Sequence, residues 1–258
     1  MQDVESLELE PTDGATVEET TSAGSLGWPV FVLQFLSVML VYLLASIPPV
    51  VIFGETSVGM ATSVALSMAA ALVVAWAWLR RDGAVAQAWD LSHPPEGWPR
   101  AIGIALLATV AIIAWFQIGS LLVQQLGFGM PDVSAVMDMV TQSPAHFAMW
   151  IVLVAIFAAG IGEELLWRGF LMDRLERLPG LSGHAWAIIG IQAVLFGLPH
   201  LYQGWGGVII TGVVGLFFGW LRYNRRGNLW TLIIAHILVD VIMMSAGYAG
   251  KLGLIELQ

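Results

Sequence analysis

From Ala148 to Ile161 the chain reads AMWIVLVAIFAAGI, and it continues Gly162-Glu163-Glu164-Leu165-Leu166-Trp167-Arg168. An apolar run without one polar side chain thus leads directly into two carboxylates. Taken over residues 146–168, it reaches the roughly 20 residues that a helix needs to cross a bilayer. Comparable charge-poor stretches lie near 28–53, 57–79, 101–126, 184–203, 205–223 and 228–248, which makes seven expected spans. Pro48-Pro49 should kink the first span or end it early. The fifth and sixth spans join so tightly at Gln203-Gly204 that six or eight crossings also fit. The predicted fold class is all-α, a polytopic transmembrane helical bundle.

Composition agrees. Of 258 residues, 58% are hydrophobic and 11% charged, and the mean hydropathy is +0.80. Soluble domains run near 45–50% apolar and about 25% charged, so a soluble domain would have nowhere to put this surface. The net charge of −9 is unevenly spread: residues 1–25 hold seven acids and no base, and the rest is nearly balanced. Residues 1–25 are predicted to be a disordered acidic tail, without the basic start of a cleaved signal peptide. Residues 26–258 form the transmembrane domain. No basic face exists to meet nucleic acid. The absence of cysteine excludes disulfides, thiolate metal sites and a Cys nucleophile.

The bases cluster in alternate loops: Arg80, Arg81 and Arg100, then Arg174 and Arg177, then Arg222, Arg225 and Arg226. Positive residues favour the cytoplasmic side, so these loops and the N-terminus are expected in the cytoplasm, with the bundle in a bacterial inner membrane. Gly212, Gly215 and Gly219 form a small-residue stripe that could seat a second chain or a neighbouring span, and the neighbouring span is the expected use.

Five ionisable residues stand where lipid would exclude them: Glu163, Glu164, His200, His236 and Asp240. An ionisable group at mid-bilayer costs roughly 2.5–3.5 kcal/mol on insertion scales, which makes each a functional candidate. Phe196 and His200, His236 and Asp240, and Glu164 and Arg168 are each four apart and share a helix face. Glu163 and Glu164 diverge by about 100°, so Glu164 can pair with Arg168 while Glu163 turns to another helix. Glu163 and His200 lie at similar distances, roughly 25–30 Å, from the turn at Pro179-Gly180. They can meet His236, about 12 Å into its span, if the charged segment Arg168–Arg177 projects into the cytoplasm.

A carboxylate and an imidazole can take a proton from water and return it to a leaving group, and a second histidine can serve a developing oxyanion. No Gly-x-Ser-x-Gly elbow is present. Glu163, His200 and His236 are legitimate zinc ligands, but the His-Glu-x-x-His spacing is missing. Chemistry without metal or cofactor is the expectation.

Glu163-Glu164-Leu165-Leu166-Trp167-Arg168, Phe196-Gly197-Leu198-Pro199-His200 and His236-Ile237-Leu238-Val239-Asp240 resemble the three ordered motifs of the CAAX protease and bacteriocin-processing family of intramembrane glutamic endopeptidases, also called Abi or CPBP. The likeness covers residues 146–245. It implies a peptide or protein substrate reaching a cavity open to the cytosol, or arriving from the bilayer; eukaryotic members trim prenylated CAAX proteins. Carried over by position, Glu163 would activate water with help from His200. His236 and Asp240 would stabilise the oxyanion, and Glu164, Arg168 and Phe196 would support them. Well-understood members have Asn where this chain has Asp240, and a carboxyl donates only when protonated. Two other classes remain open: a non-proteolytic adaptor or bacteriocin-immunity protein, and a proton-coupled transporter, although the halves show no convincing repeat.

Overall fold

The computed structural model describes residues 25–255. The predicted disorder of the acidic tail falls almost wholly on residues 1–24, outside the described residues. Within them the chain is helical, and one isolated bridge, Asp90 to Asn228, is the only strand-like pairing.

Helices α1 (Trp28–Phe53) and α2 (Ser57–Arg81) form an antiparallel hairpin. The Thr56 side chain caps α2 by accepting from Gly59 N–H at 3.2 Å. A single turn, α3 (Val85–Ala88), precedes α4 (Trp98–Gln125). Helix α5 (Ser134–Val140) leads to α6 (Pro144–Trp150). That helix runs without a break through a π-helical stretch, Ile151–Leu171, into α7 (Met172–Glu176), making one 33-residue rod. Then come α8 (Ala185–Gly197), a 3-10 turn (Leu198–Gln203), α9 (Gly204–Asn224) and α10 (Trp230–Lys251).

Six helical segments among the described residues are long and apolar enough to cross a membrane, with Ala185–Asn224 counted as one of 40 residues. That segment doubles back on itself. A Cβ on Gly197 would meet the Val208 carbonyl and the Gly212 backbone, one on Gly215 would meet Ala193, and one on Gly219 would meet Ile189 and Gln192. Helices α8 and α9 are therefore two antiparallel arms, giving about seven spans, and the glycine stripe serves contact within the chain.

One end of the bundle gathers the basic loops. Leu26 N–H donates to the Arg177 carbonyl and Leu229 N–H to that of Asp90. Arg225 pairs with Glu96 at 3.2 Å and Arg222 with Glu176 at 2.7 Å. At the other end Asp132 N–H donates to the Gln203 carbonyl and Ser57 Oγ to that of Met139. Asp132 itself is a solvated loop residue, its carboxyl held below the usual range by the Ser134 side chain and N–H.

Three local expectations change. Helix α1 continues through Pro48 and Pro49 to Phe53. The prolines fall in its final turns, where α2 supports the backbone through Ser63 Oγ, which donates to the Ser46 carbonyl at 2.8 Å. The central rod is π-wound where a plain α-helix is the sequence expectation. The segment after Arg168 turns its charges inward: Asp173 and Arg174 are fully buried. Arg174 bonds Asp173, Asp82 (2.6 Å) and Gln34 (3.4 Å), and Gln34 in turn donates to Asp82 at 3.0 Å. The buried ions thus satisfy one another, as burial demands.

Candidate active site

The site lies between the π-helical stretch, α8, α9 and α10. Gly160 sets the distance between the first and last of these. A Cβ there would strike the Ile237 side chain and come within 3.2 Å of the Ile237 backbone nitrogen. The missing side chain lets the two backbones approach within a turn of Glu163 and His236. Long π-helical windings are rare, and shorter π-bulges often mark functional sites.

His236 is the hub. Its Nδ1 lies 2.7 Å from Glu164 Oε1, and its Nε2 lies 4.0 Å from Glu163 Oε2 and 3.8 Å from Asp240 Oδ2. Glu164 is fully buried and also accepts from Arg168 at 3.0 Å. The side chains of Glu163 and Asp240 keep 24% and 26% exposure, against 11% for His236. One ring nitrogen thus faces the sealed interior, and the other faces the two accessible acids. With Nδ1–H donated to Glu164, the tautomer of His236 is fixed from the protein side.

Arg168 is also fully buried, held between two aromatic faces, with its guanidinium carbon 4.0 Å from the Phe196 ring centre and 5.1 Å from that of Phe218. This is cation–π packing in a dry interior. Phe196 packs edge-on against Trp167, with 6.1 Å between ring centres. His200 follows it on the 3-10 turn, its Nδ1 facing the Phe196 carbonyl at 3.1 Å. Glu163, Glu164, His236, Asp240 and Arg168 therefore form one contiguous cluster. His200 joins it through the Phe196 ring, and no hydrogen bond or ion pair links it to another member among the described residues. His93, His146 and His184 make only local bonds.

Two neighbours carry no sequence signal. Phe218 lies against both Arg168 and His236 (5.7 Å between ring centres), yet it belongs to no motif. Trp89, in the loop after α3, donates Nε1–H to the Leu165 carbonyl at 2.8 Å and packs on Gly169. Among the described residues no three potential donors stand close enough together to hold a metal ion.

Residues 145–242, which carry all of these motif side chains, match the family model described as type II CAAX prenyl endopeptidase Rce1-like. This segment is similar to that family. With six helices long and apolar enough to cross a membrane, the match supports an integral membrane protein that is CAAX-protease-like at the family level. No curated protein and no solved structure matches the chain.

Proposed function

We propose that the protein hydrolyses peptide bonds with water activated by Glu163 and His200, without a metal. The observation that carries this reading is the split environment of His236, anchored through Nδ1 by buried Glu164 and open through Nε2 toward Glu163 and Asp240. Glu163 takes one proton from water as the oxygen attacks the scissile carbonyl. The ring of His236, protonated on both nitrogens as an imidazolium whose charge Glu164 balances, donates from Nε2 to the oxyanion. On collapse, the proton held by Glu163 passes to the leaving amine, so water is divided between a new carboxyl and a new amine. Asp240 is the second oxyanion donor when protonated. Arg168, fixed between Phe196 and Phe218, holds Glu164 in place. The basic end of the bundle, with the N-terminus, faces the cytoplasm, and the substrate arrives from there or from the bilayer.

The test compares new peptide termini in cells producing the wild type or Glu163→Gln at equal levels. Termini that depend on Glu163 support the reading, and identical profiles reject it. With a cleaved peptide in hand, activity should survive a strong chelator. About one zinc per chain, lost together with activity, would replace the glutamate mechanism by Lewis-acid chemistry.

A further inference from the structure

On the outer face of the α1–α2 hairpin, well away from His236, lies a groove of about 390 Å³ lined by Ser37, Val73, Val74, Ala77, Trp78 and Arg81. Its floor is fixed, because Trp78 Nε1–H donates to Ser37 Oγ across the two helices at 2.9 Å. Its walls are apolar except at the basic end of the bundle. There Arg81 is exposed and stacks over the Trp78 ring at 5.2 Å, whereas its neighbour Arg80 lies outside the lining and stacks over Trp76 at 5.0 Å, on another face of α2. Neither arginine has a carboxylate partner among the described residues. The adjacent acid, Asp82, is already taken by Arg174 and Gln34. We propose that this groove binds one anionic phospholipid, its phosphate on Arg81 and an acyl chain along Val73 and Ala77.

A planar guanidinium matches a phosphate in charge and geometry, and basic pockets between spans suit anionic headgroups. The rival occupant is the acidic segment 1–24 of the same chain. In that segment Val4, Leu7 and Leu9 alternate with acids, so it offers the groove no continuous apolar strip, whereas a lipid brings one phosphate and an unbroken acyl chain.

The test uses full-length protein, stripped of lipid in a neutral detergent and titrated with phosphatidylglycerol or phosphatidylcholine of identical chains. Bound lipid is counted by native mass spectrometry. Phosphatidylglycerol should be retained and phosphatidylcholine should not. A base near a membrane surface is worth about fivefold in binding, so Arg81→Gln should weaken retention about fivefold. Val73→Trp, which fills the groove and keeps both charges, should also abolish retention. Equal retention of the two lipids by the wild type, or full retention by either variant, overturns the proposal. So does a wild type that takes up phosphatidylglycerol only after the seven acids of residues 1–24 are changed to amides, which assigns Arg81 to the tail.

Discussion

Glu163 and Glu164 are adjacent in the chain, yet one keeps contact with solvent and the other has none. Glu163→Gln removes the proposed base but breaks no buried ion pair, so it should abolish cleavage with melting temperature nearly unchanged. Glu164→Gln leaves Arg168 buried without its counter-charge, and breaking such a pair costs about 3–5 kcal/mol. Its yield and melting temperature should fall together with activity. Thermal melts and single-turnover assays on both variants check the contrast, and full turnover by Glu163→Gln would discard the assignment. Because Glu164 already fixes the His236 tautomer, Asp240 is not needed for that task. Asp240→Asn should therefore keep turnover and move the alkaline limb of the pH–rate profile to that set by His236 alone, since an amide donates without needing a proton. A loss of 10–100-fold with the limb in place, the size of effect seen when a supporting partner is removed, would reject donation. The i to i+4 pairs were legible in the sequence because helical spacing alone creates them. That both glutamates meet one ring was not, because His236 lies 72 residues beyond Glu164 and no local pattern encodes which helices are neighbours.

Among the elements, the contact between the π-helical stretch and α10 governs the distance from Glu163 to His236. Gly160→Ala should push the helices apart at Ile237. Overpacking of this kind typically costs 1–3 kcal/mol, and activity should drop further than stability. Ile237→Ala in the same chain should restore part of the activity by giving the new methyl group room. A Gly160→Ala variant with wild-type turnover would show that this approach does not set the site. Span positions were legible because lipid demands long apolar runs. The π winding was not, since no proline lies within Ile151–Leu171 and Glu164 and Arg168 fit an ordinary i to i+4 helical pair. Phe218 stayed hidden for a related reason: a phenylalanine in an apolar span looks the same whether it faces lipid or an arginine.

At the scale of the molecule, all the basic loops meet at one end, and the chain has no native cysteine. Single cysteines at Ser92 and at Gln142 therefore report the two ends cleanly. An impermeant maleimide should label Gln142→Cys in intact cells and Ser92→Cys only after lysis, and the reverse pattern would invert the orientation. The buried cluster at the basic end has a further consequence, for assembly of the chain in time. Arg174 follows Asp82 by 92 residues, which at 5–20 residues per second takes a ribosome about 5–18 s. Through that interval Gln34 is the sole side-chain partner that the fold offers Asp82 from chain already made. The Asp82 carboxylate of the first hairpin therefore waits for Arg174, and a segment made later closes the one made first.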